Sequence, residues 1–317
     1  MPASRRRSRA WTNTLQSGLL FAAMILICGL LGLVVAGQEG LVWALGLGAF
    51  TLTLSPGFSP RVILKLYNAR MLAPGEAPAL EALAAELARR ASLAEAPALA
   101  YVPSQSPNAF SVGSRRSAVI ALTDGLLRSL SRRELAGVLA HEISHVAHSD
   151  MWIMALADVV GRITALFSSL GWVLLILSLP MFLVAGYALP LTPILALLLA
   201  PAGTTLLQLA LSRTREYDAD LEAVDLTGDP EGLATALGKL EARSGGVFER
   251  ILFPGRSEPH PSILRTHPET TERMVRILKM PRDPDKRLDQ GQTGTCLGPG
   301  CHRPVRRPRW RPGGFWY

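Results

Sequence analysis

From Ile163 to Ser212 the chain carries no charged side chain. A helix rises about 1.5 Å per residue, so roughly 20 apolar residues cross a hydrocarbon layer of about 30 Å. The run is long enough for two crossings, with a turn expected near Pro190–Pro193. A single hairpin buried in a protein core is the alternative, and the length without charge argues against it. A second such region lies at the other end. No charge falls between Arg9 and Glu39, where residues 18–37 read GLLFAAMILICGLLGLVVAG, and after a short QEG link residues 41–60 are again uncharged. Two membrane hairpins, about four transmembrane helices, are the expected frame. A hydrophobic fraction of 49% and a mean hydropathy of +0.24 fit a chain partly in lipid.

Charge supplies the expected orientation. Arg5, Arg6, Arg7 and Arg9 precede the first hairpin and Arg61, Lys65 and Arg70 follow it. Arg162 precedes the second, and Arg213 and Arg215 follow. Basic flanks stay in the cytoplasm, so both ends of both hairpins are placed inside. A net charge of +8 would also suit nucleic acid, but the arginines cluster around apolar stretches and in the last tenth of the chain, and no nucleic-acid partner is expected. A cleaved signal peptide is the competing reading of the N-terminus; its apolar region would be unusually long, and a second span follows at once. The Arg pair is read as a basic anchor in preference to a twin-arginine export signal. The three cysteines, Cys28, Cys296 and Cys301, form no disulfide framework and suit a reducing compartment.

The hairpins divide the chain into a basic segment with the first hairpin (1–60), a soluble piece (61–162), the second hairpin (163–212), a second soluble piece (213–280) and a Pro/Arg-rich tail (281–317) expected to be disordered. In the first soluble piece, residues 74–93 have apolar residues at helical spacing, and ALAYVPS (98–104) and SAVIALT (117–123) read as short strands, with the turn-rich SVGSRRS between Phe110 and Ala118 supporting a strand pair. Ser131 and Glu134 have capping-box spacing, so a helix starts near Ser131. In the second soluble piece a helix runs through REYDADLEAVDL, a Gly-Asp-Pro break falls at 228–230, and another helix follows from about Pro230 to Ala242.

The Ser131 helix carries HEISHVAHSD, 141–150. At 100° per residue His141 and His145 lie about 40° apart on one face, so both imidazoles can hold one ion. Leu135, Leu139, Ile143 and Val146 form a separate stripe for the core. This is the H-E-x-x-H arrangement of metallopeptidases, in which two histidines bind zinc and the glutamate serves the attacking water. The motif alone is only moderately specific. His148 shares the histidine face, but a third ligand on the same stretch normally needs a helix-breaking glycine where this chain has His148, so it is read as a polar non-ligand. Asp150 is read as a helix-end residue. Completion is expected from SRTREYDAD, 212–220, where Glu216 and Asp220 stand at i and i+4 on one face. One carboxylate can bind the metal while the other accepts from a ligand histidine. An ordinary charged helix face has the same appearance.

Together HEISH, SRTREYDAD, PNAFSVG, VIALTDGLLRSL and THPETTER, in this order and with the apolar insertion between the two metal motifs, resemble the HtpX-type membrane zinc endopeptidases, gluzincins related to the CAAX-prenyl endopeptidases. The resemblance covers Gly18 to about Leu278. It implies His141, His145 and Glu216 as ligands of one zinc ion, Glu142 as catalytic base, and Asp220 as the acceptor behind a ligand histidine. It places Asn108, Ala109 and Phe110 on a strand beside the cleft, where an extended peptide adds through its main chain. It also brings His267 near the site, to polarise the carbonyl or steady the oxyanion; a loop histidine beside proline is the plain alternative. Arg273 is read as a structural ion-pair partner. Cys296, Cys301 and His302 lie outside the resemblance and would make only half a second metal site.

The expectation is therefore a mainly α multi-pass membrane protein with a small β-sheet and a cytoplasmic gluzincin-type metallopeptidase domain. Its partners would be lipid and the unfolded or membrane-protein chains it cleaves in quality control at a bacterial inner membrane. The rivals are a silent zinc-binding scaffold, against which Glu142 speaks, a transporter, which would need ionisable groups inside the spans, and a prenyl-protein endopeptidase, for which two hairpins offer few spans.

Overall fold

The structure is a computed structural model and describes residues 3–54, 60–243, 270–286 and 288. Three of its helices are long and apolar enough to cross a membrane: residues 18–46 within α1 (Ala3–Leu54), α6 (Asp150–Ala185) and α7 (Leu191–Thr227). α1 is broken at Ala36 and Gly37, and Gly37 has φ +60°, a conformation that glycine adopts without steric cost. The chain reverses there. A Cβ on Gly32 would lie 2.3 Å from the Gly40 carbonyl oxygen, whereas eight residues of straight helix would separate the two by about 12 Å. The break comes just before the expected QEG link.

α6 and α7 pack along each other, with α1 against both. Their contact includes few polar groups, and these pair internally, as lipid-facing segments require. Thr164 and Thr204 share a buried hydroxyl contact at 3.0 Å, and the Gln208 amide donates to the Ala157 carbonyl at 2.5 Å. Pro180 and Pro201 lie inside these helices. Many of their large side chains face outward: Trp172, Ile176, Leu177, Leu199 and Leu206 are all exposed.

The remaining elements form one body on the charged end of this pair. α2 (Pro60–Leu66) leads to a four-stranded mixed sheet of β1 (Arg70–Met71), β2 (Ala98–Val102), β3 (Ala109–Val112) and β4 (Val119–Thr123), in the order β1-β2-β4-β3. β2 and β4 run parallel; β3 and β4 form the expected strand pair, antiparallel, with Ser111 opposite Ile120. Gly113 in their turn has φ +104°, and a Cβ there would meet the Ser117 carbonyl at 2.3 Å. Alternation along the strands divides the core. Ala100, Val102, Phe110, Val112 and Ala121 meet α2 on one face. Leu99, Ile120 and Leu122 join α3 (Pro78–Arg90), α4 (Asp124–Ser129), α5 (Arg132–His148), α8 (Pro230–Arg243) and α9 (Thr270–Leu278) through Leu87, Leu126, Leu139, Ile143, Leu233 and Ile277 on the other.

α5 starts with the expected capping box. The Ser131 amide donates to Glu134 at 2.7 Å and the Glu134 amide to Ser131 at 3.4 Å. Burial opposes an ionised Glu134, but Lys239 and the two Ser131 donors hold its carboxyl below the usual range. α7 departs from the expected layout. The REYDADL segment is no separate helix, because α7 continues unbroken from apolar Leu191 to Thr227. Nothing in SRTRE stops a helix, so the change at Ser212 is one of composition alone.

Candidate metal centre

The candidate site lies where α5 crosses the charged end of α7. His141 and His145, one turn apart, set their rings edge to face with centroids 4.7 Å apart and their Nε2 atoms 3.2 Å apart. α7 brings in Glu216, with Oε2 3.4 Å from His141 Nε2 and Oε1 3.7 Å from His145 Nε2. One ligand atom from each of the three lies within 4.8 Å of the others. His141 and Glu216 are buried.

The donor set fits a metal. His141 Nδ1 lies 3.1 Å from Asp220 Oδ1, and His145 Nδ1 lies 2.9 Å from Asp150 Oδ2. When both Nδ1–H groups donate to these carboxylates, both Nε2 atoms present lone pairs to the space that Glu216 faces. Two imidazole nitrogens and one carboxylate oxygen are the three protein ligands of a catalytic zinc site, which leaves a fourth position open. The electrostatics point the same way. Burial disfavours a charged His141, yet Asp220 and Glu216 outweigh it and push the ring up to about 10. Burial likewise opposes charge on His145, and Asp150 raises it. This cluster of buried acids attracts positive charge.

Two arginines close the shell. Arg273, from α9, donates through Nε and Nη2 to the two Asp220 oxygens at 2.7 and 2.6 Å, and its Nη1 lies 2.9 Å from Glu216 Oε2. Arg215, one residue before Glu216, donates to Asp150 Oδ1 at 3.0 Å. Glu142 is buried beside the histidines, and Ser111 Oγ on β3 donates to its Oε2 at 2.9 Å.

The structure thus brings together His141, Glu142, His145, Glu216 and Asp220. Asn108 and Ala109 lead into β3, the edge strand nearest α5. Phe110 turns its ring to the opposite face of the sheet, against Tyr67 at 4.9 Å, so its side chain does not line a cleft on the α5 side. His148 is half exposed and meets Glu222 at 3.1 Å, away from the other two histidines. His267, Cys296, Cys301 and His302 lie outside the described residues. Sequence reasoning missed Ser111 and Arg215. It took Asp150 for a helix-end residue; that carboxylate does open α6, but it is also buried against His145. Arg273 is an ion-pair partner as expected, with both of its partners inside the site.

Long apolar helices and three convergent candidate ligands are the features of a membrane-associated metalloprotease. The sequence profile of peptidase family M48 matches residues 74–280, and the chain belongs to that family. It is 37% identical over 282 residues to a protein named Protease HtpX homolog from Pyrococcus furiosus, covering 85% of this chain and 96% of that one. It is 33% identical over 290 residues to a protein of the same name from Methylibium petroleiphilum, covering 84% and 98%. Among solved structures, S. mikatae Ste24p aligns over 85% of this chain and 66% of its own length, with 22% identity and a TM-score of 0.43.

Proposed function

We propose that this protein is a zinc-dependent endopeptidase that cleaves unfolded or damaged membrane proteins at the cytoplasmic face of a bacterial inner membrane. The observation that carries the reading is the convergence of His141, His145 and Glu216 with Glu142 on the same helix as the two histidines. Those three ligands would hold the ion. Zinc bound there supplies Lewis acidity and brings the pKa of a water down towards neutrality.

The chain's own residues do the rest. Glu142 accepts a proton from the attacking water and returns it to the leaving amine. Asp220 and Asp150 keep the histidines in the tautomer that ligates. The substrate's backbone lies along β3. The Asn108 carbonyl accepts from the Thr123 amide, so with antiparallel alternation Asn108, Phe110 and Val112 spend their main-chain groups on β4. Ala109 and Ser111 then turn theirs to the open edge, where an extended peptide would add by main-chain hydrogen bonds and be read for shape more than for sequence.

Placement supports the substrate class. Glu216 lies four residues beyond Ser212, the last residue of the uncharged run, which is about 6 Å along the helix. A site at that height meets loops and tails leaving the bilayer. A hairpin crossing twice at the N-terminus with α6 and α7 crossing once each would return the chain to one side, and the basic flanks support the cytoplasm as that side. The test is cleavage of an unfolded fluorogenic protein by detergent-purified enzyme, with zinc content measured in parallel. Glu142→Gln should keep zinc and lose cleavage. Cleavage that survives the substitution would leave the chain a zinc-binding scaffold, and preferential cleavage of a prenylated peptide would change the substrate class.

A further inference from the structure

The His145 ring is held by residues that belong to the membrane pair. Asp150, the first residue of α6, is 3% exposed, and each of its oxygens has one partner: Oδ2 faces His145 Nδ1 at 2.9 Å and Oδ1 accepts from Arg215 Nη1 at 3.0 Å. Arg215 is itself buried, on α7. We propose that Asp150 and Arg215 are positioning residues for the metal-ligating His145, acting as one unit that makes metal affinity depend on how α6 and α7 sit against α5. The inference rests on the zinc-site reading above.

Local geometry explains how Asp150 reaches the ring. In an unbroken helix a residue five positions on is turned about 140° away around the axis. Ser149 breaks the helix with φ 58° and ψ 31°, so α5 ends and α6 starts in a new direction. The Asp150 carboxylate folds back over the last turn of α5. On α7, Arg215 and Glu216 are consecutive and so point about 100° apart, which lets one helix present the ligand to α5 and the clamp to α6.

The chemistry requires such a clamp. An imidazole ligates through Nε2 only while Nδ1 carries the proton, and a fixed acceptor at Nδ1 selects that tautomer and ring orientation. Asp150 is that acceptor for His145. Arg215 keeps the acceptor aimed, because a buried carboxylate without its cation would swing away from the ring. Without the pair, the ring is free to turn or to carry its proton on Nε2.

The test uses the full chain in detergent and reads metal binding without turnover: the zinc dissociation constant by chelator competition, and the visible absorption of the cobalt-loaded protein. Asp150→Asn should raise the zinc constant by about 10- to 100-fold and change the cobalt spectrum, the range seen when outer-shell partners are removed. Arg215→Met should weaken zinc too, and the double variant should bind no more weakly than Asp150→Asn alone. Asp158→Asn, which removes a partly exposed acid paired with Arg162 on the same helix, should bind as wild type does.

Zinc held by Asp150→Asn within about two-fold of wild type, with an unchanged cobalt spectrum, overturns the proposal, and multiplicative losses in the double variant overturn the joint action. If Asp150→Asn does not fold, Arg215→Met decides alone, since wild-type zinc affinity in that variant is equally fatal. Absence of zinc from the wild type would instead overturn the reading of the site itself.

Discussion

His141 and His145 stand one turn apart and look alike in sequence, yet the molecule holds them from opposite sides. Behind His141 is Asp220, on α7, clamped by Arg273 from α9. Behind His145 is Asp150, clamped by Arg215, and both of those residues belong to the long helices that carry the apolar stretches. Each histidine has the same imidazole, carboxylate and guanidinium sequence, and α7 enters both, giving the carboxylate Asp220 on one side and the guanidinium Arg215 on the other; the remaining member comes from α9 behind His141 and from α6 behind His145. The candidate metal centre is therefore braced by α9 on one side and by α6 on the other, with α7 common to both, and a disturbance of α9 or of α6 should loosen its own histidine first.

Glu216 is the residue the two halves share, and its removal should have the largest effect. Glu216→Ala takes away the proposed third ligand and leaves Arg273 near one half of the site only. Stoichiometric zinc should be lost, and cleavage with it, by about 10³-fold or more if the metal's contribution disappears. Zinc retained at one per chain would show that the two histidines find another third ligand, and the symmetry of the site would have been misread.

Arg273→Met should come next and strike one side. It leaves Asp220 and Glu216 buried without their arginine, a change that typically costs about 3–5 kcal/mol. The melting temperature of the metal-stripped protein should fall steeply, and that of the zinc-loaded protein less, because the bound cation stabilises the same carboxylates by mass action. Equal falls with and without zinc would mean that Arg273 supports packing of α9 and has no electrostatic part in the site.

The His141 side was largely legible in the sequence, and the His145 side was not. Helical period puts His141, Glu142 and His145 on one turn, and the i,i+4 relation of Glu216 and Asp220 offers a ligand and an acceptor together. Both are local facts. Asp150 was hidden by Ser149, a non-glycine residue in the left-handed region with no sequence signal to announce it. Arg215 and Arg273 reach acids 65 and 53 residues away, and no periodicity encodes such a pairing. Ser111 was hidden in the same way, since only the packing of β3 on α5 brings it to Glu142. The fold was more legible where apolar pattern and turn chemistry agree, as in the α5 capping box and the β3–β4 hairpin. It was less so at Ser212, where charge returns but the helix simply continues.

Ser111 lets the two sides be compared with a third point of contact, the strand β3. Its hydroxyl gives one hydrogen bond to Glu142, and Ser111→Ala removes that bond without touching either histidine. A loss of about 1 kcal/mol, roughly five-fold in kcat, is expected, with zinc content and KM unchanged. Restoration by Ser111→Thr would confirm that the hydroxyl orients the glutamate. A rise in KM alone would place the effect in peptide binding along β3.

The smallest effect should come from Ser149, and it discriminates because only the His145 side passes through it. Its side chain makes no capping bond to α6, so what matters at this position is the left-handed backbone. A non-glycine residue there costs about 1–2 kcal/mol. Ser149→Gly removes that strain but adds freedom to the unfolded chain worth about 0.4–1 kcal/mol. Stability should change by less than about 1 kcal/mol, and zinc affinity should stay as in wild type. Ser149→Val, β-branched at positive φ, should pull Asp150 away from His145 and weaken zinc binding while leaving Asp220 and Arg273 in place. Chemical denaturation with zinc competition measures both quantities. If valine leaves zinc affinity untouched, the turn between α5 and α6 does not set the aim of Asp150, and the two histidines are less differently held than their surroundings suggest.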